Sequence, residues 1–464
     1  MENRKGFLDR LFHLSESGTT VRTELVAGLT TFMTMAYILA VNPAIMSTTG
    51  MDKGAVLTAT AIAGFLGTML MAVLANYPFG LAPGMGLNAF FAFTVVNQMG
   101  YSWQMALAAV FVEGILFIIL SLTNVREAIF NCIPMNLKKA VSAGIGLFIA
   151  FIGLVSAQII VANPATKVSL FSFKQSLETG TFPTVGITVF IAIIGILFTG
   201  FLLSKNVKGN ILWGILFTWG LGIVCELTGL YVPDPAKGAF STLPDLSGGL
   251  NSFLPASIAP IAFHLDFSDL FTFNFVVVLL SFLFVDLFDT IGTLIGVSSK
   301  ANMLDKNGRL PRIRGALLAD AIATCVGAAA GVSTTTTYVE SASGVSEGGR
   351  TGLTAVTVAV LFLLSIFLAP FFMAIPAFAT APALVVVGFL MFTSITGVDL
   401  GDPTEAIPSY LTVIAMPFTY SIAEGIAFGT ISYVVLNLLT GKRRRLNMLL
   451  LVLAVIFFCK YILL

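Results

Sequence analysis

Apolar stretches long enough to cross a bilayer follow one another almost from end to end of this chain, and that succession dictates its solvent. A helix needs about 20 apolar residues to span the hydrocarbon core. By that ruler the sequence holds candidate spans near residues 24–46, 55–76, 83–98, 104–123, 138–160, 183–204 and 209–227. After a polar interval rich in Pro, Gly and Ser come seven more, near 272–298, 314–332, 336–348, 351–371, 377–397, 408–421 and 422–440. Composition agrees: 57% of residues are hydrophobic and 10% charged, against roughly a quarter charged in soluble domains. With Lys plus Arg at 24 and Asp plus Glu at 23, no charge excess points to nucleic acid.

Two segments are too short and too polar to face lipid: GLAPGMGLNAFF in the third span and GVSTTTTYVESASG in the tenth. Broken segments at corresponding places in two halves point to a transporter built from inverted repeats, with its site near the midplane. Seven spans per half, an odd number, give the halves opposite topology. A faint likeness supports this, since Ile133-Pro134 and Gly146 fall on Ile375-Pro376 and Gly388 at one constant offset. The expected fold is therefore an all-α integral membrane protein of about 14 transmembrane helices in two inverted seven-span repeats. Residues 1–228 form the first repeat, 229–271 an extracellular linker and 272–441 the second, with a basic stop and apolar tail at 442–464.

Charge tests the count, because short cytoplasmic loops collect Lys and Arg. With the N-terminus inside, Arg4, Lys5, Arg10, Arg22, Arg126, Lys138, Lys139, Lys205, Lys208, the run from Lys300 to Arg314, Arg350 and the stretch from Lys442 to Arg445 share the cytoplasmic side. Only Lys53, Lys167, Lys174 and Lys237 fall outside. The N-terminus carries no signal-peptide core, so a multi-pass plasma-membrane protein with a cytoplasmic N-terminus is expected. The tail, apolar apart from Asn447 and Lys460, reads as an interfacial helix rather than a fifteenth crossing.

Ionisable side chains at membrane depth mark a pathway or a site by default. Asp286 and Asp289 lie three residues apart, on one face of the eighth span. In the tenth, Glu340 follows the four threonines Thr334 to Thr337, with Ser341, Ser343 and Gly344 beyond. Asn88 ends the third segment, where Gly84 and Gly86 allow backbone to approach a ligand. Asp286, Asp289 and Glu340 read as functional, and Asn88 divides between that role and capping a helix end. Glu113 and Asp320 read as structural or edge-solvated; Glu24 and Glu424 lie close to span ends and are set aside.

Several chemistries drop out. Residues 84–89 fit GxGxxA but lack the strand and crossover a dinucleotide site requires. No Walker lysine follows the threonine run, which excludes primary active transport by this chain alone. Cys132, Cys225, Cys325 and Cys459 are scattered and the histidines are two, His13 and His264, so no metal, cofactor or enzymatic centre is expected.

At these residues the chain resembles the nucleobase cation symporters, specifically the AzgA-like branch of hypoxanthine, guanine and adenine permeases. The likeness runs through residues 23–43 (TELVAGLTTFMTMAYILAVNP), 80–91 (GLAPGMGLNAFF), 284–297 (FVDLFDTIGTLIGV) and 319–353, where TTTTYVESASG precedes GGRTG. It implies a core domain of spans 1–4 and 8–11 and a gate domain of spans 5–7 and 12–14. Spans 3 and 10 would each supply a short strand and a half-helix meeting at the midplane. It further implies Asn88, Gly86, Asp286, Glu340, Thr337 and Ser341 as substrate-binding residues and Asp286 and Asp289 as proton-coupling residues.

The chemistry is consistent. A neutral oxopurine offers N–H donors and carbonyl acceptors; a carboxylate, with Glu340 foremost, accepts the former while half-helix N-termini face the latter. Asp286 or Asp289 would load a proton on one side and release it on the other. The expected activity is import of purine nucleobases, hypoxanthine or guanine foremost, by proton symport through alternating access; an adenine-preferring permease is the nearest alternative. An anion carrier of the same architecture is disfavoured, because the central segments carry acids and no Lys or Arg. The expected partners are the nucleobase, the proton, the lipid bilayer and, by analogy, a second copy in a homodimer.

Overall fold

The computed structural model describes residues 7–123, 134–234, 239–268, 270–300, 303, 310–443 and 446–463. Arg4, Lys5, Arg126, Cys132, Ile133, Lys237, Lys306, Arg309, Arg444 and Arg445, used above, lie outside the described residues.

Among the described residues ten helices are long and apolar enough to cross a membrane, and they fall on ten of the fourteen expected spans: Val21–Thr49 (span 1), Lys53–Leu74 (2), Trp103–Leu122 (4), Met135–Ser156 (5), Phe182–Ser204 (6), Asn210–Leu227 (7), Ile313–Ala330 (9), Gly352–Ala374 (11), Ala377–Gly397 (12) and Ile422–Leu439 (14). The other four positions hold helix too. Span 8 is Phe273–Lys300, and span 13 is Pro403–Thr419, starting earlier than hydropathy suggests because Asp402 caps it. Spans 3 and 10 are the broken ones. Polar residues set many span starts: Asp52, Ser102, Thr351 and Ser421 each accept a backbone N–H of the first turn, which relieves the unpaired donors there.

Along the chain, β1 (Leu81–Pro83) precedes a helix at Met85–Ala89 that widens into a π-helix over Phe90–Gln98; together they make span 3. Between spans 5 and 6 a hairpin of β2 (Ile160–Asn163) and β3 (Lys167–Leu170), unforeseen from hydropathy, is followed by a short helix, Phe173–Glu178. Span 10 is β4 (Thr335–Thr337) followed by the half-helix Ser341–Ser346. β1 and β4 pair antiparallel, with Leu81 opposite Thr337, Ala82 opposite Thr336 and Pro83 opposite Thr335. Extended backbone at membrane depth needs a partner for each N–H and C=O. The pair supplies it, extended by Tyr338 N–H to Gly80 O at 3.0 Å and Gly84 N–H to Thr334 O at 2.9 Å.

Two packing groups surround this ladder. Spans 1, 2, 4, 9 and 11 pack on one another and on spans 8 and 10; spans 5, 6, 7, 12, 13 and 14 form the second group. Within the second, spans 5 and 12 meet at a glycine pair. A Cβ on Gly146 would stand 2.4 Å from Gly388 O, and one on Gly388 equally 2.4 Å from Gly146 O. That reciprocity is what two-fold-related positions show. The faint sequence likeness between halves thus marks residues that face each other.

Glu24, set aside above, is fully buried and serves the start of span 11. Its carboxylate accepts from Arg350 N at 2.8 Å, Thr354 N at 3.1 Å and Thr354 Oγ1 at 2.6 Å, an anion on a helix N-terminus. The tail forms a helix, Met448–Leu463, and departs from the interfacial expectation. Leu450 and Ala454 pack on Tyr433 and Val434, and Tyr461 hydrogen-bonds Glu424 in the first turn of span 14. The helix therefore runs antiparallel along span 14 rather than flat across its end.

Candidate functional site

Where β1 and β4 cross, the half-helices of spans 3 and 10 begin, and span 8 passes alongside. Threonines suit this crossing because their β-branched side chains favour extended backbone and their hydroxyls satisfy neighbouring backbone groups. Thr68 of span 2 donates to Leu81 O at 3.0 Å and accepts from Leu81 N at 2.8 Å; Thr324 of span 9 donates to Thr335 O at 3.1 Å. Thr334 donates to Glu113 at 2.8 Å. Glu113, fully buried, thus braces β4 from span 4.

The acids separate into two sets. Asp289 and Glu340 are half-buried, close enough to interact electrostatically, and share their surroundings with Tyr37 and Tyr338. Tyr37 donates to Glu340 Oε1 at 2.8 Å, and Tyr338 donates to Pro83 O at 2.5 Å. Gly84 brings bare backbone beside them: a Cβ there would sit 3.6 Å from Asp289 Oδ2 and 2.7 Å from Thr336 Cγ2. Carboxylates, tyrosine hydroxyls and bare backbone are thus gathered beside the crossing.

Asp286 is 0% exposed, as is Asp320 of span 9. Thr290 joins them: its hydroxyl lies 2.8 Å from Asp286 Oδ1, 3.0 Å from Asp320 Oδ2 and 2.6 Å from Thr336 Oγ1. Asp320 also accepts Thr337 N–H at 3.2 Å, which ties the pair to β4. A hydroxyl has one proton to give. When Thr336 donates to Thr290 and Thr290 to one carboxylate, the contact with the other is a hydrogen bond only if that carboxyl carries a proton. Thr290 thus joins the two acids and β4 in one buried hydrogen-bonded set. Asp320 is therefore buried rather than edge-solvated.

The remaining expected residues lie at the crossing, each with a definite task. Asn88 is buried, accepts from Ser333 and donates to Pro83 O at 3.4 Å, so its amide links span 3 to the loop before β4. Ser341 Oγ accepts Gly80 N–H at 3.0 Å. Thr337 Oγ1 is buried without a hydrogen-bond partner among the described residues. Gly86 faces span 5 rather than an open cradle, since a Cβ would approach Ile145 Cγ2 to 2.7 Å. Sequence reasoning missed Tyr37, Thr290 and Tyr338; the signal for Thr290 and Tyr338 was their place directly beside Asp289 and the threonine run, and for Tyr37 a hydroxyl in a mostly apolar span.

A cavity of about 250 Å3 lies between the groups, walled by Phe90, Thr94 and Gln98 of span 3, Ser281 of span 8, and Ser421 and Glu424 of span 14. Thr94 donates to Tyr420 O and Gln98 to Thr419 O, both at 3.2 Å. Among the described residues no group of three His, Cys, Asp or Glu is placed to hold a metal ion.

Comparison with known proteins shows the family and the fold. Residues 22–428 match a permease family, Xan_ur_permease. The chain is 41% identical to the adenine permease AdeP of Escherichia coli (strain K12), covering 99% of this chain and 96% of that one. It is 43% identical to the guanine/hypoxanthine permease PbuO of Bacillus subtilis (strain 168), covering 97% and 99%. The transmembrane domain of the cyanobacterium bicarbonate transporter BicA superposes with a TM-score of 0.62 over 88% of this chain and 97% of that one, at 15% identity, a likeness of fold alone.

Proposed function

We propose, because this chain belongs to the xanthine/uracil permease family, that its cargo is a purine nucleobase, imported together with a proton. Members of that family are permeases, so the chain is a transporter and not an enzyme. The observation that carries the reading is the pair of half-buried carboxylates, Asp289 and Glu340, within electrostatic range of each other beside the crossing of two half-helices. Permeases of adenine and of guanine/hypoxanthine, at comparable identity, narrow the cargo to purines.

In this reading the purine lies between the half-helices. Its N–H edge meets the Glu340 carboxylate, oriented by Tyr37; its carbonyl edge meets the N-terminal N–H groups of the half-helices. Asp289 lines the same space. Asn88, Thr337, Ser341 and Gly86 keep the two broken spans and the facing span 5 in register around it. The proton resides on the Asp286–Thr290–Asp320 unit. Substrate at Glu340 and proton at Asp320 are linked through β4, because Thr337 N–H binds Asp320 three residues before Glu340. Spans 1–4 and 8–11 act as the core and spans 5–7 and 12–14 as the gate, and alternating access is movement of one against the other. The protein sits in the plasma membrane with its N-terminus inside.

The test is uptake of radiolabelled hypoxanthine and of adenine by cells lacking their own purine carriers, with and without a protonophore. Accumulation that the protonophore abolishes is the expected result. Protonophore-insensitive accumulation would remove the proton; no uptake of any purine would remove the cargo. Adenine preference is the second reading, favoured by the likeness to AdeP; competition between the two labelled bases ranks them.

A further inference from the structure

The 250 Å3 cavity between spans 3, 8 and 14 is separate from the crossing: Asp289, Glu340 and Tyr37 do not line it. Its wall is shared by both packing groups. It opens near the start of span 14, and span 14 ends at the basic stretch that begins with Lys442. It is therefore at the opposite end of the molecule from the basic loops. Among its described lining residues the polar ones are Thr94, Gln98, Ser281, Ser421 and Glu424, and Glu424 alone is charged.

Glu424 is held in place from two sides. It occupies the first turn of span 14, where unpaired backbone N–H groups favour a negative side chain, and Ser421 caps its N–H at 3.4 Å. The Tyr461 hydroxyl of the C-terminal helix donates to its Oε2. The tail helix thus supplies a strut for a carboxylate in the cavity wall.

We propose that Glu424 is a specificity-determining residue, a charge filter at the mouth of the path. It admits neutral heteroaromatic solutes that donate N–H and turns back anionic ones of the same size. Tyr461 is its positioning residue. A neutral purine offers N–H groups to the carboxylate and to the oxygens of Thr94, Gln98 and Ser281, and Phe90 offers an apolar face. An anionic purine such as urate keeps N–H donors but brings a like charge towards the carboxylate, and Coulomb repulsion opposes its entry. The filter rests on the purine-carrier reading but adds to it a residue distant from the crossing.

The experiment measures inhibition of radiolabelled purine uptake by neutral competitors (hypoxanthine, adenine) and by urate, a purine that is a monoanion at neutral pH. Amounts of each variant in the membrane fraction are matched. In Glu424→Gln the urate concentration needed for half-inhibition falls about tenfold, while neutral competitors shift less than about twofold. Tyr461→Phe moves urate in the same direction, less far. Gln98→Glu, which adds a second carboxylate to the wall, moves it the opposite way and decides the matter should Glu424→Gln not reach the membrane. Parallel shifts for neutral and anionic competitors, or no shift for urate in either Glu424→Gln or Gln98→Glu, overturn the filter. Absence of purine uptake by the unaltered protein overturns the cargo reading instead.

Discussion

Three residues separate Asp286 from Asp289, an offset that turns two side chains on a helix about 60° apart. That small angle gives them different neighbours: Asp289 looks towards Glu340 and the crossing, Asp286 towards Thr290, Asp320 and Thr336. If the proposed proton unit is correct, replacing either acid of the second set by its amide removes it while keeping shape. Asp286→Asn and Asp320→Asn are therefore each expected to abolish uphill accumulation yet retain exchange of labelled for unlabelled purine. Protonophore-sensitive accumulation by either variant would sink the assignment. Tyr37→Phe removes one hydrogen bond to Glu340 and leaves the ring. Losing a bond of this kind costs about 0.5–1.5 kcal/mol, so KM should rise about two- to tenfold with little change in maximal rate; a fall in rate at constant KM would place Tyr37 outside binding. Asp320 escaped the sequence reading because it sits near a span start beside basic residues, where a carboxylate is ordinarily solvated. Only the tertiary contact with span 8 reveals its partner.

Elements were legible to unequal degrees, for a physical reason. Hydropathy reports the length of a lipid-crossing helix, so about eleven turns of apolar sequence per pair of spans leave little room for error. The broken spans announced themselves through Gly, Pro and Thr, which weaken helix and must be satisfied by a partner at membrane depth. What pairs with what was not legible: the register of Leu81 on Thr337, the π-helix over Phe90–Gln98 and the hairpin of β2 and β3 depend on long-range contacts or on polar loop residues. The tail misled because an apolar stretch behind a basic stop has no periodic signal to separate packing along span 14 from lying in the interface. The glycine pair lies between these cases, faint in sequence and plain in space. Gly146→Ala forces a methyl into the carbonyl of Gly388, and overpacking of this sort costs about 1–3 kcal/mol. A lower melting temperature in detergent is expected for Gly146→Ala and for Gly388→Ala; unchanged melting in both would mean the helices separate there without cost.

The proposed movement of the two packing groups against each other would require contacts that form and break at both ends of the molecule. At the cavity end Thr94 and Gln98 reach the backbone of Tyr420 and Thr419. At the basic end the link is an ion pair: Lys208, in the turn between spans 6 and 7, bonds Glu347 beyond the half-helix of span 10. Nearby, bare Gly209 comes within 3.5 Å, at its notional Cβ, of Met33 O in span 1. Lys208 is 58% exposed and Glu347 24%, so solvent screens the pair, and exposed pairs contribute about 0.2–1 kcal/mol. Such a contact biases the equilibrium between the two arrangements without fixing it. Lys208→Glu and Glu347→Lys each replace attraction by repulsion and are expected to change maximal uptake by up to about fivefold, the upper factor that this energy range allows, with KM at the crossing nearly unchanged. The double variant, Lys208→Glu with Glu347→Lys, restores opposite charges in swapped positions and should recover most of the loss. Recovery is the decisive part, because two unrelated structural defects would multiply instead. A double variant as impaired as the product of the singles would show that the pair does not couple the two groups during transport.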